Sequence, residues 1–462
     1  MRSELLAPLD LAFWHLESTA HPLHLGALAH FGPTPDATYP TALLADRATA
    51  VPRLRKRVQD VLIPVGGAAW TTDPDFDVAR HVHEIALPGT DFAAETVRLA
   101  GELMERPVER GLPPWEMYLL TGAPDGSFAV LVKLHHALAD GLRAVAIGSG
   151  IFDETAAARA AARRHRPAPA RPRRTASASP AGPAGLVGAA REHLGDRLGG
   201  LGERLGELGR AVELGASVVR ASRPAALAPT AFRALAAAPS GTRRIATAVL
   251  DEQRVQRVRR GAGGTANDVL LAVTAGALRR WLDGRGESPP AADPRALVPV
   301  TRRRPGTPAL SHGNSLSGYL LDLPVTEPDP AVRLAAVRTA MDRNKAAGPL
   351  RGAGAVALLA DRLPPLAHRF GAPLASGAAR LLFDLLVTHV PLPRVALSLG
   401  GAPLRALFPL APLARGQSLA VALSPYGGHV HVGLVADGRA VPDLDALAAG
   451  FHAELDLLDP GV

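Results

Sequence analysis

The segment Lys133-Leu134-His135-His136-Ala137-Leu138-Ala139-Asp140-Gly141 brings together the residue types best suited to chemistry. A neutral imidazole titrates near neutrality, so it can take a proton from an alcohol and return it to a leaving thiolate. Acyl transfer from a thioester to a hydroxyl needs that shuttle. It needs no enzyme nucleophile when both substrates are bound together. His136 and His135 supply the imidazoles. Asp140 can orient the loop or pair with an arginine, and Gly141 permits a turn or a close approach that a side chain would block. A lone His-x-x-x-Asp means little in a chain with 16 histidines, whereas the complete His-His-x-x-x-Asp-Gly string is rare. The competing reading is a pair of buried histidines followed by Asp140 as a helix N-cap.

The elements around this string must hold it. Ser127 to Leu134 is a short apolar run with polar ends and predicts a buried strand. Leu142 to Ile147 predicts the start of a helix, so the histidines fall on a strand–loop–helix edge, where a rigid scaffold presents functional groups. Asp91 to Met104 carries Phe92, Val97, Leu99 and Leu103 at helical spacing. Asn267 to Leu282 predicts a long helix capped by Asn267 or Thr265. Ser315 to Val325, Ser418 to Leu423 and Gly428 to Val435 predict strands.

Three zones follow from these patterns: 1–152 and 241–462 as α/β domains, and 153–240 as a crossover between them. The chain has 462 residues, too many for one ordinary core. The crossover opens with Ala/Arg/Pro low complexity, including Arg163, Arg164, Arg166, Arg171, Arg173 and Arg174, without aromatics for base stacking. That run predicts a solvated linker and no nucleic-acid partner. Leu194, Leu198, Leu201, Leu205, Leu208 and Val212 then fall on one helical stripe. The stripe either docks on its own protein or forms an amphipathic foot on a lipid surface.

Composition excludes several classes. There is no cysteine, which removes disulfides, thiolate metal sites and a cysteine nucleophile. No run approaches the ~18 apolar residues of a membrane span, and Met1 to Leu11 lacks the layout of a signal peptide. The expectation is a cytoplasmic protein, peripheral at the inner membrane face or at lipid droplets. The net charge of +8 suits anionic lipid or the phosphates of a cofactor. His429 and His431 could begin a metal site, but no third ligand with sensible spacing accompanies them, so no metal is expected. Gly261-Ala262-Gly263-Gly264-Thr265 precedes a helix, as phosphate cradles do, but lacks a P-loop lysine and reads as a turn feeding that helix. No Gly-x-Ser-x-Gly elbow is present, which disfavours a hydrolase.

The chain resembles the bacterial wax ester synthase/diacylglycerol acyltransferases, within the coenzyme A-dependent acyltransferases that include chloramphenicol acetyltransferase and peptide-synthetase condensation domains. The resemblance spans almost the whole chain. It rests on Leu9-Asp10-Leu11-Ala12-Phe13 with His24-Leu25-Gly26, on Asp73-Pro74-Asp75-Phe76-Asp77 with His81 and Leu87-Pro88, and on Pro114-Trp115-Glu116. It continues through the His-His-x-x-x-Asp-Gly string, Asn267-Asp268-Val269, Gly313-Asn314 and Val441-Pro442-Asp443. The resemblance implies two chloramphenicol-acetyltransferase-like domains with an active-site channel at their interface. It implies His136 as base on the acceptor alcohol, supported by His135 and Asp140, with Gly141, Asn267 and Asp268 near the substrates. The substrates would be acyl-CoA and diacylglycerol or a long-chain alcohol, the products triacylglycerol or wax ester, with no further cofactor. The alternatives are a condensation-type enzyme using carrier-bound thioesters and a non-catalytic lipid-binding relative. Two departures stand out. Pro113-Pro114-Trp115 replaces the family's Pro-Leu-Trp, and His389-Val390-Pro391-Leu392-Pro393 replaces its Asn-Val-Pro-Gly-Pro.

Overall fold

A computed structural model describes residues 4–35, 39–61, 66–154, 235, 240–287, 290, 292–301, 316–347 and 382–459. The Leu194–Val212 stripe, the arginine-rich run and Gly313-Asn314 lie outside these residues.

Among the described residues the strands are β1 Glu4–Leu5, β2 His24–Phe31, β3 Lys56–Asp60, β4 Ala68–Thr72, β5 Val82–Ala86, β6 Trp115–Thr121, β7 Phe128–His135 and β8 Asp153–Glu154 in the first half. The second half adds β9 Arg243–Asp251, β10 Arg295–Thr301, β11 Leu316–Asp322, β12 Leu385–His389, β13 Leu397–Leu399, β14 Ala402–Leu410, β15 Leu419–Tyr426 and β16 His429–Asp437. The helices are α1 Pro8–Leu16, α2 Thr41–Ala50, α3 Phe92–Glu105, α4 Gly141–Ile151, α5 Glu252–Ala262, α6 Ala266–Gly284, α7 Pro330–Ala347 and α8 Leu444–Leu458.

The strands form a three-stranded sheet β1-β4-β3, a six-stranded sheet β11-β10-β12-β15-β16-β9 and a seven-stranded sheet β5-β6-β7-β2-β14-β13-β8. The six-stranded sheet draws on β9 to β12, β15 and β16, and the seven-stranded sheet is built mainly from strands of the first half. The boundary between the halves is not clean, however. Residues 397–410, placed by sequence in the C-terminal domain, supply β13 and β14 to the N-terminal sheet, where β14 pairs with β2 from Leu410↔Gly26 to Leu404↔Phe31. A strand that leaves its own half reads like any other apolar strand, so local pattern cannot reveal the exchange.

The exchanged strand welds the halves together. One core lies in each half, and a third joins Leu28, Met104 and Leu131 to Phe408, Leu410, Ala420 and Val435 across the seam. Gly433 on β16 marks the tightest point. A Cβ there would stand 1.9 Å from the Pro409 carbonyl oxygen of β14. Gly433→Ala must therefore push β14 away from β16. Overpacking of this kind costs roughly 1–3 kcal/mol, and Pro409 and Leu410 also wall the cavity described below. Thermal unfolding and acyl-transfer assays should show melting temperature and rate falling together; a variant as stable as its parent would show that the seam yields.

Candidate active site

β7 is apolar on both faces, and its one buried ammonium, Lys133, is answered by Glu116 Oε2 on β6 at 2.9 Å. The same oxygen accepts from the Tyr118 hydroxyl at 2.8 Å. Trp115 stacks on His81 and donates its indole N–H to the Leu54 carbonyl, and the Pro114 carbonyl accepts the His135 main-chain N–H. The Pro114-Trp115-Glu116 block thus fixes the strand that delivers the histidines.

Beyond His135 the chain turns, with Leu138 and Ala139 N–H donating to the His135 carbonyl. Asp140 then caps α4, its Oδ1 accepting from Arg143 N–H at 2.8 Å. Asp140 is 1% exposed and plays the N-cap role that was the alternative reading of the motif. The two histidines part company here. His135 is fully buried. Its Nδ1 accepts from Ala137 N–H at 3.0 Å, so the proton sits on Nε2, which faces Glu17 Oε1 at 3.4 Å. Glu17 also accepts from Leu23 N–H and from Arg110, whose guanidinium lies over the Trp14 ring. Burial pushes the Glu17 carboxyl up, but the His135 and Leu23 hydrogen bonds and the Arg110 charge outweigh it and hold the group at about 2.

Glu17 went unrecognised in the sequence because it lies 118 positions before His135 and belongs to no local pattern. It links the two histidines. It holds the His135 ring directly, and it binds Leu23, whose carbonyl accepts the His136 main-chain N–H at 2.8 Å.

His136 is half-buried and stacks on Phe13, with ring centroids 4.0 Å apart and an 18° interplanar angle. Burial drives its imidazole down to about 4, against upward pulls from a hydrogen bond to its own main chain and from the Asp140 charge. The ring is neutral at pH 7. Nδ1 is buried, and the His136 side chain forms part of the wall of a cavity. The cavity has a volume of about 170 Å³, on the scale of dry cavities that hold one small hydrocarbon. It is walled by β2, β7 and α4 of the first half and by β12, β14 and β15 of the second, and almost all of its lining is apolar.

Gly141 lines this cavity at the first turn of α4. A Cβ there would meet Val390 at 3.7 Å, an ordinary contact, so the glycine is not required by its turn and simply leaves room in the seam. Asn267 and Asp268 do not line the cavity. Thr265, not Asn267, caps α6, and Asp268 completes a capping box by accepting Thr265 N–H at 2.8 Å, with Lys345 Nζ 3.8 Å away. The work visible for Asp268 is to start the helix. Gly263 and Gly264 adopt positive φ, and Arg338 packs over them and bonds the Ala262 carbonyl, so this stretch is a turn closing α5. His429 is exposed and His431 buried, their rings 6.3 Å apart on one face of β16, and no group of three potential metal ligands occurs among the described residues.

A family model for the wax ester synthase/diacylglycerol acyltransferase catalytic domain matches residues 6–270, and the WS/DGAT C-terminal domain matches residues 312–459. The chain belongs to the wax ester synthase/diacylglycerol acyltransferase family. It is an acyltransferase. A probable diacylglycerol O-acyltransferase of Mycobacterium tuberculosis is 32% identical over 97% of this chain and 94% of that protein. A putative one of Mycobacterium bovis is 30% identical over 99% of both. The wax ester synthase/diacylglycerol acyltransferase from Marinobacter aquaeolei VT8 shares the fold with a TM-score of 0.66 at 24% identity, covering 98% of this chain and 99% of that one. The first condensation domain of the calcium-dependent antibiotic synthetase shares it at a TM-score of 0.62 and 18% identity, covering 100% and 98%. Set against the family pattern, the departure at His389–Pro393 acquires a location: Val390, Leu392 and Pro393 are cavity wall, so a leucine side chain stands where the family has glycine.

Proposed function

We propose that this acyltransferase moves a fatty acyl group from acyl-CoA to diacylglycerol or a long-chain alcohol, giving triacylglycerol or wax ester, with His136 as general base. The observation that carries the reading is the neutral His136 ring in the wall of an apolar cavity built from both halves. An apolar wall suits an acyl chain and keeps water from competing with the acceptor. His136 takes the hydroxyl proton as the oxygen attacks the thioester carbonyl, then gives it to the departing coenzyme A sulfur. His135, Glu17 and Asp140 keep the loop in place. Gly141 leaves space beside the reacting end, and Asp268 acts at a distance by fixing the start of α6, where Asn267 also stands.

Among the described residues no helix is long and apolar enough to cross a membrane. The reading accordingly places the enzyme peripherally, at a membrane face or a lipid droplet, where its acceptor is concentrated. Purified protein given labelled palmitoyl-CoA with hexadecanol, and separately with diacylglycerol, should form ester with at least one acceptor. Absence of product with either, from folded protein, would overturn this reading in favour of a lipid-binding role.

A further inference from the structure

Acyl transfer through a tetrahedral intermediate places negative charge on the former carbonyl oxygen, and an apolar cavity must supply a donor for it. Among the side chains lining the cavity only His136, Ser149 and Thr388 carry nitrogen or oxygen. His136 is committed to the proton. Ser149 lies at the exposed end of α4 and donates back to the Val145 carbonyl at 2.9 Å. Thr388 remains, and among the described residues no hydrogen bond engages its hydroxyl.

The placement of Thr388 fits the task. Strand alternation puts Leu386, Thr388 and Val390 on one face of the β12 segment, and all three line the cavity. Val390 packs against the position a Gly141 Cβ would take, at 3.7 Å, so this face meets the start of α4 five residues beyond His136. Thr388 stands two residues, about 7 Å, back along the strand. The end of β12 is pinned by Val390 N–H to the Leu423 carbonyl at 2.8 Å and by the Ser424 hydroxyl to the Val390 carbonyl at 2.7 Å. A β-branched side chain in a strand has few rotamers, so its hydroxyl is held in position before the substrate arrives.

We infer that Thr388 is a catalytic residue of the second half: its hydroxyl donates a hydrogen bond to the oxyanion formed when the acceptor attacks the thioester opposite His136. The inference rests on the acyl-transfer reading. In the first step the acceptor O–H bond breaks, its proton goes to the His136 imidazole, the new C–O bond forms, and the carbonyl π pair moves to the oxygen facing Thr388. In the second step that pair re-forms the carbonyl, the C–S bond breaks, and the proton passes from His136 to the sulfur. Thr388 keeps its own proton throughout. The apportioning is reasonable for a site split between two halves, with the proton handled by the first and the charge by the second.

The test compares Thr388→Val, which keeps the shape and removes the hydroxyl, with Thr388→Ser, which restores it, and with His136→Ala, all in the full chain with palmitoyl-CoA and whichever acceptor the parent uses. Thr388→Val should lower kcat roughly 10²-fold with KM little changed, as expected for loss of one oxyanion donor. Thr388→Ser should recover most of the rate, and the acid limb of the pH profile should stay where the parent has it. Melting temperatures check that each variant folds. If Thr388→Val destabilises the chain, Thr388→Ser against Thr388→Ala gives the same comparison. A Thr388→Val rate within about threefold of the parent, or a change in KM alone, overturns the assignment. If that occurs while His136→Ala is inactive, the acyl-transfer reading survives without it; if His136→Ala turns over like the parent, the reading itself fails.

Discussion

Replacing His136 with alanine should lower kcat/KM for acyl transfer by roughly 10²- to 10⁴-fold, the range for loss of a positioned general base. The pH dependence makes the expectation sharper. A base works in its neutral form, and burial has moved this imidazole from 6.5 down to about 4. The parent should therefore hold its rate level from pH 8 down to about 5 and lose it only near 4, whereas a solvated histidine would fail near 6.5. The residual activity of the variant should lack that limb. Stability supplies an independent sign. Between about 6.5 and 4 the unfolded chain binds a proton that the native ring refuses, so His136 costs stability as pH falls through that window. His136→Ala should consequently be less acid-sensitive than the parent while being far less active. Equal turnover by the two proteins across the pH range would remove the imidazole from the chemistry.

The two histidines show what residue order can and cannot reveal. Their adjacency at a strand end is legible, and so are the strand, the turn and α4, because an apolar run of eight residues followed by Asp and Gly leaves few other foldings. Which ring faces substrate depends on what surrounds each. His135 is enclosed by Glu17 and Trp14, from the α1 side of the fold, while His136 lies on Phe13 and lines the cavity. These partners come from more than 115 positions away, and no spacing rule connects them. The same limit hides the exchange of β13 and β14, which no pattern in the sequence singles out and whose pairing partners lie in the other half's sheet.

Asn267 and Asp268 show how alike two roles look in sequence. A pair of polar residues at the start of a long apolar helix resembles a site, and family likeness strengthens that impression. Thr265 and Asp268 satisfy each other's main-chain N–H groups, so one Asp268 oxygen serves helix initiation, while Oδ1 stays buried without a hydrogen bond. A capping box and a binding motif use the same residue types, and only the hydrogen bonds distinguish them.

Glu454→Ala should produce the largest loss of stability in the second half, roughly 3–5 kcal/mol, as for any buried ion pair deprived of one member. Arg333 at the start of α7 is 1% exposed, and its Nη1 donates to Glu454 Oε2 on α8 at 2.6 Å. The rest of the guanidinium is directed at the Glu327 and Pro328 carbonyls. Gly276 on α6 makes room for the pair, since a Cβ there would stand 2.0 Å from the same carboxylate oxygen. Three helices thus meet at Glu454, whose other oxygen, Oε1, faces the half-exposed Arg280 of α6 at 3.6 Å. Taking the carboxylate away leaves the guanidinium without water or counter-charge, a cost far larger than the net worth of the pair itself. Thermal denaturation should show the melting temperature falling by roughly 3–5 °C. The double variant Arg333→Met/Glu454→Leu should recover most of that loss, because two apolar groups need no desolvation. Neither residue lines the cavity, so kcat at low temperature should change little. A single variant within about 1 kcal/mol of the parent would mean that water or another carboxylate reaches Arg333 once Glu454 is gone, and that the junction of α6, α7 and α8 is looser than its burial implies.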